Sequence, residues 1–184
     1  MTYDATHRVT VMFGGDNSGG NGNLADTWQY VSSPTITNPP VSQATCEGGA
    51  VTFAAVISGS APLTFQWRRG LINLTDGGHI FGAETAALTI DPVTISDAAP
   101  DYNLVVSNAA GSITTADVAL SVYATGSGDA NGDGLLTAED VAPFASFLLA
   151  GGPPGPGFCA GDMNADGQLD ALDIQPFVSA LISP

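Results

Sequence analysis

The chain has 184 residues, with 18 acidic side chains against three arginines and no lysine, and a formal net charge of −15 at pH 7. Hydrophobic residues make up 44% of it, enough for a buried core, and the length allows one or two compact domains. A charge this negative argues against nucleic acid and anionic membranes as partners, because both bind through clustered lysine and arginine, and it suits a protein that binds cations.

Targeting segments are not recognisable in the sequence. No apolar run reaches the roughly 18 residues that span a bilayer, so membrane insertion is not expected. The start, MTYDATHRVT, has neither the basic region nor the apolar region of a signal peptide. The expectation is therefore that the protein stays in the cytoplasm or that Met1 is not its true beginning.

Residues 1–33 predict a short N-terminal β-hairpin. The stretch HRVTVMFGG alternates Val9, Val11 and Phe13 and stops at a double glycine, and the turn DNSGGNGN leads into LADTWQYV. The arrangement VMFGG…LADTWQY resembles one kelch repeat, with its double glycine, tryptophan and tyrosine. A blade needs four strands, so the resemblance implies about half a blade of a propeller whose other blades are missing. A generic β-hairpin is the alternative.

Residues 34–124 predict an antiparallel β-sandwich. The proline-rich segment SSPTITNPPVS is a linker that leads into a first edge strand. Short strands then recur at intervals of about ten residues, which is the pattern of a sandwich. The predicted strands cover residues 50–57, 63–68, 86–90, 102–107 and 113–122.

Three stretches of this segment, LTFQWRRG, LTIDPVTISDAAPDY and YNLVVSNAAG, resemble an immunoglobulin-like domain of the intermediate type. The resemblance implies that Trp67 is buried between the sheets, that Asp97 lies in the turn before strand F, and that Tyr102 is the corner tyrosine. The two positions that normally hold the bridging cysteines hold Ala55 and Leu104, so the usual disulfide between the sheets is absent.

The two cysteines of the chain, Cys46 and Cys159, lie in different predicted modules. Two cysteines do not make a disulfide framework. Cys46 is therefore interpreted as a free thiol, and an internal bridge is the less favoured alternative.

The C-terminal part of the chain is an internal duplication. GDANGDGLLTAED at 128–140 returns 33 residues later as GDMNADGQLDALD, and aligning 128–149 with 161–182 gives 12 identities in 22 positions. Each copy fits the twelve-residue calcium loop D-x-N-x-D-G-x-x-x-x-x-D. The candidate calcium ligands are Asp129, Asn131, Asp133, Leu135, Thr137 and Asp140 in the first loop and Asp162, Asn164, Asp166, Gln168, Asp170 and Asp173 in the second.

The spacing of these ligands follows from the chemistry of the ion. Ca²⁺ takes about six to eight oxygens, and alternate residues of a curled loop turn their oxygens inward, with a backbone carbonyl at position 7. Position 6 needs a conformation that only glycine takes cheaply, and Gly134 and Gly167 stand there. The apolar residues at position 8, Leu136 and Leu169, predict a short β-bridge between the loops. The sequence thus predicts two bound Ca²⁺ ions, with an acidic linker of chance spacing as the alternative.

One helical pattern follows each loop. Val141, Phe144 and Leu148 form an apolar stripe, and Ile174, Phe177 and Leu181 repeat it. The segments ATGSG and GGPPGPGFCAG precede the loops and predict no entering helix. A duplicated calcium loop with only its exiting helix, the F-hand arrangement, resembles a type I dockerin over residues 125–184.

The three segments together predict a multidomain, mainly β protein that ends in a small α-helical calcium-binding module. Residues 124–184 hold eight acids and no base. Two short helices bury little apolar area, so calcium is expected to decide whether this module folds.

The dockerin resemblance implies a docking function. Dockerins bind cohesin domains and fasten secreted proteins, often polysaccharide-degrading enzymes, to a scaffold or cell surface. The chain is therefore interpreted as a non-catalytic, monomeric, extracellular or cell-surface protein. It would bind a cohesin-like protein partner through this module and contact polysaccharide only indirectly, with the immunoglobulin-like domain as a spacer or adhesion module. The loop positions that set partner choice, commonly Ser-Thr, hold Ala138-Glu139 and Ala171-Leu172, which favours another partner.

Other functions fit the sequence less well. His7 and His79, the only histidines, stand in no catalytic triad or zinc spacing, and His79 is interpreted as a surface turn residue. A calcium sensor needs paired helices that open, whereas each loop here has one. The remaining alternative is that the chain is the ancillary C-terminal part of a larger polysaccharide-degrading or carbohydrate-binding enzyme, with its catalytic region upstream.

Overall fold

A computed structural model describes residues 2–4, 9–16 and 23–183 of the chain. At its N-terminus, strands β1 (Thr2–Asp4), β2 (Val9–Asp16) and β3 (Asn23–Tyr30) form an antiparallel sheet in the order β1-β2-β3. The β2–β3 pair is the predicted hairpin, and β1 adds a strand that alternation did not predict. The kelch-like interpretation of residues 1–33 depends partly on residues 1, 5–8 and 17–22, which lie outside the described residues.

Eleven strands form the middle part of the chain. One sheet has the order β10-β11-β6, and a larger one has the order β5-β14-β12-β8-β9, with β13 paired to β12. Strands β4 and β7 form a separate pair. Every named pair is antiparallel except β5 with β14. The strands are β4 (Thr35–Asn38), β5 (Gln43–Cys46), β6 (Val51–Ala54), β7 (Val56–Ser58), β8 (Thr64–Arg69), β9 (Ile72–Asn73), β10 (Ile80–Phe81), β11 (Ala87–Ile90), β12 (Ala99–Asn108), β13 (Gly111–Thr114) and β14 (Val118–Tyr123).

The five predicted strands of the sandwich are all present. Two of them are broken: the strand predicted at 50–57 is interrupted at Ala55, and the one predicted at 113–122 is divided between β13 and β14. Alternation along β6, β11 and β12 puts one side of each strand into a common core. The fully buried side chains of this core include Phe53, Trp67, Leu88, Ile90, Leu104 and Val106.

Trp67 lies at the centre of that core, as its resemblance to the strand C tryptophan implies. Its side chain is fully buried, and its Nε1–H donates to the carbonyl oxygen of Thr85 at 3.0 Å. Ala55 and Leu104 are buried in the same core. The two positions without cysteine are therefore filled by apolar packing.

The corner interaction predicted before strand F is also present. The Tyr102 hydroxyl donates to the backbone carbonyl oxygen of Asp97 at 2.7 Å. The Asp97 carboxylate accepts from the backbone N–H of Thr94 at 2.8 Å and from the Thr94 hydroxyl at 2.7 Å. This network fixes the start of β12 against the turn that precedes it.

His79 is a member of this network. It lies in a turn with its side chain 34% exposed, as expected of a surface turn residue, but its contact with Asp97 was not predicted. Its Nε2 lies 3.0 Å from Oδ1 of the buried Asp97 carboxylate, 18 residues further along the chain. Burial raises the pKa of Asp97, but the hydrogen bonds from His79 and Thr94 outweigh it and hold that pKa below the usual value. The charged carboxylate is therefore the form that the fold stabilises.

Replacing Asp97 by asparagine is expected to destabilise the sandwich in a pH-dependent way. Because the pKa of Asp97 is lower in the folded than in the unfolded chain, its contribution is fully present above the unfolded value of about 4 and disappears as the pH falls through the folded value. The free energy of unfolding of both proteins is measured at several pH values from 7 downward, by urea unfolding followed with circular dichroism. The exposed Glu84→Gln variant should track the wild type, and a constant Asp97→Asn deficit at all pH values would contradict the expectation.

The C-terminal part of the chain contains a few short helices, and we refer to residues 125–184 as the helical module. The first loop ends in a 3₁₀ helix (Ala138–Asp140) and is followed by α1 (Val141–Ala150). The helix α2 (Pro156–Ala160) precedes the second loop, and α3 (Ile174–Ile182) follows it. The rings of Phe144 and Phe177 stack with centroids 4.0 Å apart, and Leu148 and Leu181 pack beside them. None of the described helices is long and apolar enough to cross a bilayer.

Three expectations for this module were wrong. Val141 and Ile174, the first members of the two apolar stripes, are 44% and 42% exposed. The helix α2 enters the second loop despite the glycine and proline around it, because Pro156 stands at the first helical position, where no N–H is needed. In the described part of the chain no β-bridge joins the loops at position 8. Leu136 and Leu169 pack against the two phenylalanines instead.

The two cysteines form a disulfide, so Cys46 is not a free thiol. The bridge joins the end of β5 to α2 across 113 residues, with the Cα atoms 5.2 Å apart, and both side chains are buried. Sequence spacing could not predict the pairing, because the two residues meet only once the sandwich and the helical module have packed together. The disulfide therefore links the two modules covalently.

Candidate functional site

The first acidic loop is curled around the carboxylate of Asp129. One oxygen of this carboxylate accepts from the backbone N–H groups of Gly132 at 2.8 Å and Asp133 at 3.0 Å, and the other accepts from Gly134 at 2.8 Å. Gly134 has a φ of +91°, a left-handed conformation that glycine takes without strain. This is the behaviour predicted for loop position 6.

Alternate side chains of the same loop share its inner side. Oδ1 of Asn131 accepts from the N–H of Asp133 at 2.8 Å, and the Asn131 amide donates to Oδ2 of Asp133 at 3.0 Å. Oδ1 of Asp133 in turn accepts from the N–H of Leu135 at 2.9 Å. The residues at loop positions 1, 3 and 5 therefore lie together on one short turn.

The last residue of the first loop, Asp140, closes it. Its carboxylate accepts from the N–H of Asn131 at 3.0 Å and of Thr137 at 2.7 Å and is fully buried. The Thr137 hydroxyl accepts from the N–H of Glu139, so it also caps the 3₁₀ helix that follows. All the side chains predicted as ligands in this loop are thus held within one continuous hydrogen-bonded segment.

The second loop repeats this arrangement. The Asp162 carboxylate accepts from the N–H groups of Asp166 at 3.3 Å and Gly167 at 2.9 Å. The side-chain contacts of Asn164 and Asp166 match those of Asn131 and Asp133 in the first loop. Asp173 accepts from Met163 at 2.8 Å, Asn164 at 3.1 Å and Asp170 at 2.8 Å. At position 9, Asp170 caps Leu172 as Thr137 caps Glu139.

The two loops hold buried acids with no basic side chain near them in sequence. Asp140, Asp162 and Asp173 are each 0% exposed, and residues 124–184 contain no lysine, arginine or histidine. Burial raises the pKa of Asp162. The charges of Asp173 and Asp166 raise it further, while the N–H groups of Gly167 and Asp166 lower it without restoring the usual value. The surroundings of Asp162 therefore disfavour its ionised form.

The available donors fit Ca²⁺ by their chemistry. In the described part of the chain, no three His, Cys, Asp and Glu side chains are placed so that they could hold a metal ion. The other oxygen donors of the two loops are the amide oxygens of Asn131 and Asn164, the Thr137 hydroxyl and the carbonyls of Leu135 and Gln168. Such an all-oxygen set of six or more neutral and anionic donors is the one that Ca²⁺ prefers.

The residues at loop positions 10 and 11 are accessible to a partner. Ala138 and Glu139 occupy these positions in the first loop and are exposed, and Ala171 and Leu172 occupy them in the second, with Leu172 65% exposed. The duplicated loops thus present two small surfaces that differ in charge and size.

One feature near the loops was missed by sequence reasoning. The turn after β5, at residues 46–49, lies directly against the second loop, where Gly48 approaches Ala165. The pair of adjacent glycines in CEGG was the only signal that two backbones meet there.

Comparison with known proteins identifies the sandwich. The model of the immunoglobulin I-set domain family matches residues 34–122, and no curated protein matches the chain. Among solved structures, a chimeric titin Z1Z2 carrying a KLER peptide from decorin is 33% identical, with a TM-score of 0.45 over 52% of this chain and 98% of its own. Drosophila OTK extracellular domains 3–5 are 28% identical, with a TM-score of 0.46 over 59% of this chain and 38% of theirs. The family match covers the two-sheet sandwich and stops before the duplicated loops.

Proposed function

We propose that the immunoglobulin I-set domain formed by residues 34–122 is a spacer or adhesion module of a non-catalytic extracellular protein, and that residues 125–184 are its calcium-dependent docking module. The proposal depends above all on the duplicated loops. Each folds its oxygen donors over one turn, and together they bury three carboxylates with no basic side chain in the module. A module with this charge distribution binds a divalent cation.

Two Ca²⁺ ions would be held by the side chains of Asp129, Asn131, Asp133, Thr137 and Asp140 and by their counterparts in the second loop. The bound ions supply positive charge that offsets the repulsion among the acids. A ligand that binds only the folded form at about 100 times its Kd adds about 2.7 kcal/mol per site. For a module of this size, two such sites are comparable to its total stability.

The docking surface would include the exposed residues at positions 10 and 11 of each loop. Ala138-Glu139 and Ala171-Leu172 replace the Ser-Thr pairs of well-studied dockerins, so the partner is a protein related to cohesins in role but not selected by hydroxyl groups. The module is acidic, so the partner's surface is expected to carry basic residues at its rim.

A location outside the cell is supported by the disulfide. Buried disulfides form and persist in oxidising compartments and are rare in the cytosol of most organisms. In the same proposal residues 1–33 are the edge of a kelch-like propeller, which the antiparallel order β1-β2-β3 supports. Polysaccharide would be contacted only by such neighbouring domains.

Calorimetric titration of the full chain with CaCl₂ is expected to give two bound ions per chain. Asp129→Ala and Asp162→Ala should each lose one ion, because each removes the carboxylate around which its loop is curled. Glu139→Ala removes an exposed acid outside the proposed ligand set and should retain both ions. Binding can give no heat at a temperature where its enthalpy is zero, so the titration is repeated at a second temperature. The absence of binding heat at both temperatures would contradict the proposal.

Docking is tested by capture of candidate cohesins on the immobilised chain with Ca²⁺ and with EDTA. Capture that requires Ca²⁺ and fails in the Asp129→Ala Asp162→Ala double variant supports the docking function. Capture that is equal in both buffers contradicts it.

A further inference from the structure

The two acidic loops have different surroundings. The second loop packs against the turn at residues 46–49 of the I-set domain, which we name the glycine turn. A Cβ atom placed on Gly48 would lie 2.5 Å from the carbonyl oxygen of Ala165, and one placed on Gly167 would lie 2.5 Å from Cα of Gly49. Real Cβ contacts are essentially never below 3.0 Å, so the two backbones touch through positions that only glycine can occupy.

The first loop has a different close neighbour, α2: a Cβ atom placed on Gly157 would lie less than 3.0 Å from the carbonyl oxygen of Ala130. Among the described residues, however, the glycines of this loop have no neighbour like the glycine turn. A Cβ atom on Gly132 or Gly134, the counterparts of Ala165 and Gly167, would meet no heavy atom within 4 Å in the described part of the chain. Asp162 is fully buried, whereas its counterpart Asp129 is half-buried. Two loops of nearly the same sequence are thus placed in different environments.

The glycine turn is itself held rigidly. Gly48 donates its N–H to the carbonyl oxygen of Val93 at 2.8 Å, and Val93 donates to the carbonyl oxygen of Gly49 at 2.7 Å. The turn begins at Cys46, whose disulfide partner Cys159 accepts from the N–H of Asp162 at 3.1 Å through its carbonyl oxygen. The I-set domain therefore reaches the second loop by backbone packing and, through α2, by a covalent bond.

We propose that the glycine turn is a positioning element that holds the second loop in its ion-binding conformation and makes the two calcium sites unequal. A loop that is already ordered loses less conformational freedom when it binds, so the second site has the higher affinity. The inference rests on the calcium binding proposed above. It adds that the glycine turn contacts one loop and not the other.

The sharpest test is Gly48→Ala, measured by calcium titration in two backgrounds of the full chain. Asp129→Ala leaves only the second site and Asp162→Ala leaves only the first. Forcing a methyl group against the Ala165 carbonyl should lower the affinity of the second site about tenfold, while the first site should change less than about twofold. An equal change at both sites, or none at either, would overturn the inference.

Gly78→Ala is the matched control. Gly78 also has a positive φ, +59° against +84° for Gly48, so both variants place alanine in the left-handed region. A Cβ atom on Gly78 meets nothing within 4 Å in the described part of the chain. Both sites should keep their affinity in this variant, and a selective loss at the second site would contradict an effect through contact.

A second variant decides the question if Gly48→Ala does not fold. The double substitution Cys46→Ala Cys159→Ala removes the covalent tie, and circular dichroism verifies that the sandwich remains folded. Because α2 touches both loops but only the second loop also touches the glycine turn, the second site is expected to weaken more than the first. An equal change at both sites, or no change at either, would overturn the inference. A wild-type chain that binds no Ca²⁺ at all would instead refute the proposed function, so the two failures are distinguishable.

Discussion

Replacing Asp173 by alanine is expected to unfold the helical module, with a loss of about 3–5 kcal/mol. The buried carboxylate accepts three backbone N–H groups, from Met163, Asn164 and Asp170. Each hydrogen bond to a charged group contributes about 1.5–3 kcal/mol, and a buried donor left without a partner costs about 1–3 kcal/mol. The variant also removes a proposed calcium ligand, so added Ca²⁺ should not restore the second half of the module.

Hydrogen exchange of the amides in α3 measures this effect. The wild-type amides should be protected in Ca²⁺, and Asp173→Ala should exchange at rates near those of an unfolded peptide. Asp173→Asn keeps one acceptor oxygen and should fall between the two. Glu139→Ala removes an equal charge from an exposed position and should leave the protection unchanged.

Protection of α3 at the wild-type level in Asp173→Ala would contradict the structural role of this carboxylate. Hydrogen exchange of the α1 amides in Asp140→Ala makes the same test in the first copy of the repeat. Asp140 accepts two N–H groups rather than three, so its loss should be the smaller of the two.

Replacing Trp67 by alanine is expected to destabilise the I-set domain by about 3–5 kcal/mol. The side chain is 0% exposed, packs against Phe53 with ring centroids 6.1 Å apart, and donates to the carbonyl oxygen of Thr85. The substitution leaves a cavity between the sheets and an unpaired acceptor. Because no disulfide joins the sheets at Ala55 and Leu104, there is no covalent tie to offset the loss.

Urea unfolding of the full chain measures this loss. The midpoint urea concentration should fall, while the slope of the unfolding free energy against urea concentration should stay the same. Trp67→Phe keeps most of the ring and loses only the N–H donor, so it should cost less. Leu71→Ala removes an apolar side chain that is 93% exposed and should change the free energy of unfolding by less than about 0.5 kcal/mol. A Trp67→Ala effect as small as that of Leu71→Ala would contradict the central role of the tryptophan.

The parts of the fold that were predictable are those determined by local pattern. Period-two alternation located the strands around Phe53, Trp67 and Leu104, and the two apolar stripes located the helices around Phe144 and Phe177. The left-handed conformation of the glycine at loop position 6 was predictable, because it depends on the φ of that one residue. Each of these signals lies within about a dozen residues of sequence.

The parts that were not predictable depend on neighbours that are distant in sequence. The contact of His79 with Asp97 needs β10 and the turn before β12 to meet, and the side-chain packing of Leu136 and Leu169 in place of a bridge depends on how the two helices stack. The helix α2 is a local feature, but it was not predicted, because glycine and proline usually interrupt helices. At the first position of a helix, where Pro156 stands, proline is instead well tolerated.

The amino-acid sequence alone determined the kinds of module in this protein, a β-sandwich with a buried tryptophan followed by a duplicated acidic loop, because residue spacing and periodicity carry that information. Only the tertiary structure decided that Cys46 pairs with Cys159 and that Gly48 and Gly49 pack against the second loop. The bridged cysteines are 113 residues apart. Their proximity results from the packing of one module on the other, which no short stretch of sequence encodes.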